Sequence, residues 1–250
     1  MLNNISIVII AKNADLTIAK SLDSVKEFDE VILYLNHSTD ATESIAKRFK
    51  NVKIFHGEFL GFGDTKNLAS SYSSNNWILS LDSDELITPE LFNELMKLDL
   101  SDSSKVYALK MDDYFLGYKL KFRTEKKVRL YNRRERKFDN KKVHENIEYN
   151  LGDKITLKSH FKHLHINTVN QTLEKTIRYT DISSNGKETC YFIVVIVKPT
   201  FAFFQAYILR LGFLNGWIGF VVAIANANDR YYKYLKRYVN CQHNRKKPKF

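Results

Sequence analysis

Short apolar runs alternate with helix-spaced segments through the first hundred residues. Ile5-Ser6-Ile7-Val8-Ile9-Ile10 has the length and β-branched content of a buried strand. Ile18, Leu22 and Val25 then recur at helical spacing. Glu30-Val31-Ile32-Leu33-Tyr34-Leu35 predicts a second strand, closed by the polar run Asn36-His37-Ser38-Thr39-Asp40. Asp40 and Glu43 have capping-box spacing and predict a helix start, with Ala41, Ile45 and Phe49 on one face. Val52-Lys53-Ile54-Phe55 predicts a third strand, residues 68–72 a third helix, and Trp77-Ile78-Leu79-Ser80-Leu81 a fourth strand. Thr88-Pro89-Glu90 opens a further helix, with Thr as cap and Pro in the first turn. This alternation predicts an α/β fold: a mixed, mostly parallel, Rossmann-like sheet with helices on both faces. Ligands of such sheets bind beyond the carboxyl ends of the strands. Asn13, Asn36 and Asp82 fall at three of those ends.

From about residue 105 to 165 the texture changes to strand-like alternation, Val106, Ala108 and Lys110 against Tyr107, Leu109 and Met111, with basic loops. From residue 169 onward the pattern is helical again. Residues 191–197 are continuously apolar and 201–224 nearly so, interrupted by Gln205, Arg210 and Asn215 and weakened as helix by Gly212, Gly216 and Gly219. No run reaches the roughly 20 residues needed to span hydrocarbon. A surface-lying helix or re-entrant hairpin is expected instead. Tyr231, Tyr234, Leu235 and Tyr238 form an aromatic stripe with Lys233, Lys236 and Arg237 between its members, a pattern suited to an anionic membrane surface. Packing of the stripe on the core is the alternative. The expected organisation is a first domain over residues 1–168, with halves 1–100 and 101–168, and a helical, membrane-associating region over 169–250.

Charge sharpens this picture. The net charge is +11, and residues 119–142 hold twelve Lys or Arg against three acids, while 229–250 hold eight against one. Such density implies a polyanionic partner: nucleic acid, an anionic membrane or a phosphorylated substrate. The two cysteines, Cys190 and Cys241, form no C-x-x-C pair. Neither a disulfide framework nor a thiolate zinc site is therefore expected, and a reducing cytoplasm is. The opening residues lack a basic segment before Ile5, so the first apolar run reads as a strand and not as a signal sequence.

The chemistry concentrates at Asp82-Ser83-Asp84-Glu85, directly after the fourth strand. A turn there can bring both aspartates to one hard cation, and Mg²⁺ commonly takes one or two carboxylates plus phosphate oxygens. Asp-x-Asp also suits an ordinary Asx turn, and the spacing alone leaves both open. Leu86 and Ile87 exclude a calcium loop, which needs Asp or Asn and then Gly there. His163 and His165 share one face of a strand, with His160 nearby, but no carboxylate or cysteine stands at zinc-site spacing, so structural histidines are expected.

Five ordered motifs resemble family 2 glycosyltransferases of the GT-A fold, and more narrowly the bacterial glucosyltransferases of the lipopolysaccharide inner core. They are Ile7-Val8-Ile9-Ile10-Ala11-Lys12-Asn13, Ser38-Thr39-Asp40-Ala41-Thr42, Gly61-Phe62-Gly63-Asp64-Thr65-Lys66-Asn67, the stretch Trp77 to Glu85, and Val143-His144-Glu145. The tail from Leu211-Gly212-Phe213-Leu214-Asn215-Gly216 to Lys233-Tyr234 matches too. The resemblance implies an inverting transfer of a hexose from a nucleotide-diphosphate sugar, a UDP-sugar above all, to a phosphorylated glycolipid of the lipopolysaccharide core. It implies that Asp84, with Asp82, holds Mg²⁺ or Mn²⁺ against the diphosphate. Ala11, Asn13, Asp15, Asn36, Lys66 and Asp82 are implied as nucleotide-sugar contacts, Glu145 as the base and His144 as its neighbour. It implies a peripheral enzyme on the cytoplasmic face of the bacterial inner membrane, with no nucleic-acid partner. The family usually carries an Asp at the end of the second strand to meet the base; here Leu35, Asn36 and His37 follow one another, and the Asn amide both donates and accepts.

Two rivals remain at this stage. A sugar nucleotidyltransferase shares such a sheet and acidic site but normally needs a glycine-rich loop after its first strand, where Ala11-Lys12-Asn13-Ala14-Asp15 has no glycine. A basic nucleic-acid-binding protein explains the charge but leaves Asp82, Asp84 and Glu145 without a role. A transferase acting on another lipid-linked glycan or a capsule precursor is the nearer alternative.

Overall fold

The computed structural model describes residues 4–140, 145–166 and 168–246. The chain divides into two compact units, one formed by residues 1–113 and 124–164, the other by 114–123 and 165–250.

In the first unit the alternation of apolar runs becomes β1 (Ile5–Ala11), α1 (Ile18–Ser24), β2 (Val31–Leu35), α2 (Thr42–Ala46), β3 (Val52–His56), α3 (Phe62–Ser71), β4 (Trp77–Asp82), β5 (Glu85–Ile87) and α4 (Pro89–Leu95). Three long strands follow: β6 (Val106–Phe115), β7 (Tyr118–Asn132) and β8 (Lys154–Ile166). The eight strands form one sheet in the order β3-β2-β1-β4-β7-β6-β8-β5. Strand β1 lies parallel to β2 and β4, β2 parallel to β3, and β7 antiparallel to β4.

Strands β1, β2 and β4 are buried in their middles because both faces are covered. Ile7, Ile9, Leu33, Leu79 and Leu81 pack under Ile18 and Leu22 of α1 and Leu91 and Leu95 of α4. Val8, Ile10, Ile32 and Ile78 pack on the other face with Ala69 of α3. The α4 cap forms as expected: Thr88 Oγ1 accepts a bond from the Leu91 N–H, and Pro89 sits in the first turn.

The expected capping box at Asp40 and Glu43 does not form. Helix α2 is five residues long with Ala41 at its N-cap, and no side chain caps it. The Asp40 carboxylate instead accepts from Thr42 N–H at 3.0 Å and reaches across to Asp15 N–H at 3.1 Å. A loop contact of longer range outcompeted the local cap.

The second unit holds α5 (Val169–Ser184), α6 (Ile193–Phe204) and α7 (Trp217–Lys246), with a π-helical turn at Gln205–Leu209 and a 3₁₀ turn at Gly212–Asn215 between the last two. Thr168 and Gln171 make a reciprocal capping box on α5. Lys236 of α7 bonds Asp181 at 2.6 Å and Thr180 Oγ1 at 2.7 Å, and Arg237 donates to the Ser183 carbonyl. Tyr238 packs edge-on against Phe192, 5.3 Å between centroids. Tyr234, Leu235 and Tyr238 of the α7 stripe are therefore half-buried within this unit, while Tyr231 stays exposed. Among the described residues no helix is long and apolar enough to cross a membrane.

Cys190 and Cys241 are joined in a disulfide, 51 residues apart in sequence. This corrects the expectation of unpaired cysteines. Pairing depends on α7 running back alongside the segment that leads into α6, which no local spacing reveals. The cysteine-based argument for a reducing compartment falls with it.

Candidate active site

The carboxyl ends of β1, β2 and β4 meet at one edge of the sheet, where Ala11 pairs with Leu35 and Ile10 with Asp82. Register alone thus brings Ala11, Asn13, Asn36 and Asp82 together. Asn13 turns the chain with φ of 52°, in the left-handed region that Asn tolerates. Its Oδ1 accepts from Thr39 N–H at 2.8 Å, and its own N–H donates to Ser38 Oγ at 3.1 Å. Thr42 Oγ1 takes the Ala14 N–H at 2.8 Å. The two loops therefore brace each other through Asn13 and Asp40. Burial pushes the Asp40 carboxyl up, but bonds from Thr42 and Asp15 outweigh it and hold the group below its ordinary value. Asn36 is buried, and its Nδ2 has no hydrogen-bond partner.

At the end of β4 the acids divide into two sets. Asp82 N–H donates to Glu85 Oε2 at 3.0 Å, closing the turn. Arg129, one residue beyond the Leu130–Leu79 pair of β7, places Nη2 2.7 Å from Asp82 Oδ2 and also on Glu85 Oε1. Lys66, from α3 and only 1% exposed, sets Nζ 2.9 Å from Asp82 Oδ1 and 2.8 Å from Glu145 Oε1. The ammonium also stands 5.3 Å over the Phe138 ring. A continuous ionic chain runs Glu85–Arg129–Asp82–Lys66–Glu145.

Electrostatics follow this chain. Burial pushes the Asp82 carboxyl up, but Arg129 and then Lys66 overcome it and hold the group well below its ordinary value. Glu85 is fully buried, and its carboxyl is pushed up by burial that Arg129 only partly offsets. Both Asp82 oxygens are thus held by cations. The side chains of Asp82 and Asp84 are open to solvent to a similar degree, 35% and 32%.

Asp84 has a partner the spacing argument missed. The Glu85–His163 pair of β5 and β8 brings His163 Nε2 to 3.4 Å from Asp84 Oδ2, while Nδ1 lies 3.0 Å from Asp113 Oδ1. Burial pushes the imidazole down, but Asp113 and Asp84 outweigh it and raise His163 to about 9. The carboxylates that seemed absent around the histidines come from other strands: Asp84 and Asp113 for His163, Asp112 for His160 at 2.8 Å. The charged imidazolium donates to both carboxylates and so orients Asp84; the oxygen ligands that a divalent cation would find at this strand end are the carboxylates of Asp84 and Asp82.

Glu145 reaches Lys66 because its loop is pinned to α3. Asn67 bonds both the Phe138 N–H and carbonyl, at 2.9 and 3.0 Å. Phe138 and Ile147 form a bridge across the loop. Gly63 admits this contact, since a Cβ there would collide with the Asp139 carbonyl. A cavity of about 390 Å³ opens beside it, lined by Asp82, Arg129, Glu145, Lys126 and Lys127 among others. His144 lies outside the described residues. Asp15 is half-buried and bonded only through its backbone to Asp40 among the contacts resolved at that loop.

Arg129 and Asp113 complete the site without having been singled out from sequence, while Glu85 was read only as the end of the acidic motif and His163 only as a structural histidine. Arg129 was hidden in the basic run 119–142, where nothing in the local pattern sets it apart from its basic neighbours.

A mostly parallel sheet whose fourth strand ends in acids at the edge of a cleft is the architecture of a GT-A-like glycosyltransferase. The family model described as Glycosyl transferase family 2 matches residues 6–155, and the chain belongs to that family of nucleotide-sugar-using enzymes. It is 28% identical over 263 residues to an uncharacterized glycosyltransferase of Rickettsia typhi, covering 94% of this chain and 87% of the relative. A Rickettsia prowazekii relative, also an uncharacterized glycosyltransferase, matches at the same 28% identity. Among solved structures, S. aureus TarS 1–349 in complex with UDP superposes with a TM-score of 0.50 at 16% identity, covering 96% of this chain and 92% of that one, a likeness of fold.

Proposed function

We propose that this glycosyltransferase is an inverting hexosyltransferase, moving a hexose such as glucose from a UDP-sugar to a hydroxyl of a phosphorylated glycolipid of the lipopolysaccharide core type. The observation that carries the reading is the Asp82–Lys66–Glu145 chain, which fixes the Glu145 carboxylate in the wall of the same cavity as the acidic end of β4 at Asp82. In a single displacement the acceptor oxygen bonds to the anomeric carbon as the bond to the diphosphate breaks. The acceptor's proton passes to the Glu145 carboxylate, and the nucleoside diphosphate leaves. His144 precedes this base in sequence and is assigned as its neighbour.

A divalent cation held by Asp84, with Asp82 helping, would supply Lewis-acid stabilisation of the diphosphate leaving group. Asp82 also holds Lys66 and Arg129, two positive charges, at the base of the cleft where a diphosphate arrives. The braced loops at Ala11, Asn13 and Asp15 form the nucleoside wall. Asn36 offers an orphaned amide whose burial costs about 1–3 kcal/mol, a cost a nucleobase edge relieves. Lys126 and Lys127 on the cavity rim suit a phosphorylated acceptor. Such a substrate places the enzyme on the cytoplasmic face of the bacterial inner membrane.

The test is a panel of nucleotide sugars with Mg²⁺ or Mn²⁺, with and without truncated lipooligosaccharide. Release of nucleoside diphosphate that depends on the acceptor supports the reading. Release of pyrophosphate would favour a nucleotidyltransferase, and dependence on another lipid-linked glycan would move the acceptor.

A further inference from the structure

The α6–α7 hairpin of the second unit carries an apolar surface that the transfer chemistry does not use. Helix α6 runs through the π-helical turn, reverses at Leu211 and Gly216 (φ 56° and 62°), and resumes as α7 at Trp217. Phe203, Tyr207, Phe213 and Phe220 pack ring against ring inside the reversal. Gly212 and Gly219 close it: a Cβ on Gly219 would strike the Gly212 carbonyl. Asn215 Oδ1 accepts the Lys121 N–H at 2.6 Å, tying the turn to the 114–123 segment of the same unit. The end of the hairpin is therefore a built structure.

Its outer side is apolar. Phe204, Leu209 (69% exposed), Leu211, Phe213, Leu214 and Trp217 (58% exposed) are all open to solvent. Residues 190–228 contain no Asp or Glu, and their charges are Lys198 and Arg210, both exposed. Residues 165–250 as a whole hold thirteen Lys or Arg against four acids.

We infer that the turn between α6 and α7 docks on an anionic lipid surface, with Leu209, Leu211, Phe213, Leu214 and Trp217 entering the headgroup–acyl boundary and Arg210 meeting lipid phosphates. Apolar burial and attraction to anionic headgroups add at such surfaces, and Trp prefers that boundary. The surface lies apart from the basic aromatic stripe of α7, whose Lys236 bonds α5 and whose Tyr238 packs on Phe192. A second copy of the chain fits less well: an isologous contact would set this acid-free patch against itself, Arg210 and Lys198 with no carboxylate to meet. The docking does not depend on the sugar chemistry, because lipid binding is read without substrate.

The experiment uses the full chain and vesicles of phosphatidylcholine with or without phosphatidylglycerol. Trp217 is the reporter, since Trp77 is buried with its Nε1 bonded to the Leu100 carbonyl. The expected result is co-sedimentation with the anionic vesicles and a blue shift of tryptophan emission. Leu209→Asp/Leu214→Asp should weaken binding by about tenfold or more, and Arg210→Glu should weaken it on anionic vesicles. Unchanged circular dichroism would show that the variants fold, their side chains being exposed. Equal binding of wild type and the double variant would overturn the inference. So would a lipid-free dimer that the double variant dissociates, or equal affinity for neutral and anionic vesicles.

Discussion

Burying an ammonium costs several kcal/mol unless carboxylates meet it, and Lys66 meets two, Asp82 and Glu145. Lys66→Met would leave both acids short of a partner in a partly buried site. It should destabilise the protein by about 3 kcal/mol, read as a lower urea midpoint, and slow turnover through a displaced Glu145. Glu145→Gln keeps the shape but cannot take a proton, so kcat should fall about 10²- to 10⁴-fold with donor KM little changed. An unchanged kcat would place the base elsewhere. Lys66, Asp82, Asp84 and Glu145 were legible because each lies in a short ordered motif. Arg129, His163 and Asp113 were not, because they reach the site from β6, β7 and β8 through strand pairing, and pairing partners are not written in local spacing.

Among the elements, the sheet's amino edge depends on one buried acid. Glu30 accepts from Ser6 Oγ at 2.5 Å, from Lys53 at 2.7 Å and from Ser74 N–H at 2.8 Å, stitching β1, β3 and the entry to β4. Burial pushes its carboxyl up, but Lys53, Ser6 and Ser74 outweigh this and lower it from 4.5 to about 2. A depressed carboxyl adds stability that is fully present above pH 4.5 and is lost as pH falls toward 2. At neutral pH that contribution is roughly 3 kcal/mol. Glu30→Gln should therefore be less stable than wild type at pH 7, and the gap should close as pH approaches 2 in chemical denaturation. A gap independent of pH would contradict the ionic account. The strands and α4 were readable from apolar runs and the Thr-Pro signal. The start of α3 at Phe62 and the shortness of α2 were not, since loop contacts through Asp40 and Asn67 set them.

Across the whole molecule, the α/β alternation made the strands and helices of the first unit readable from sequence, and the acidic strand end marked the place of its candidate site, while the second unit's packing was not readable. Its apolar residues signalled helices, but the face each presents, and the Cys190–Cys241 bond, follow from how α5, α6 and α7 meet. Closing a loop of 51 residues should stabilise by about 4 kcal/mol on the chain-entropy model. Cys190→Ser/Cys241→Ser should lower the melting temperature, and wild type under reductant should behave alike. An equal melting temperature in all three would mean the bond contributes nothing. The most direct measurement is nucleoside diphosphate release from a UDP-sugar with Mn²⁺, comparing wild type with Asp84→Asn. Loss of turnover by about a hundredfold or more in a folded variant is expected, whereas full turnover would contradict the role given to the acidic end of β4.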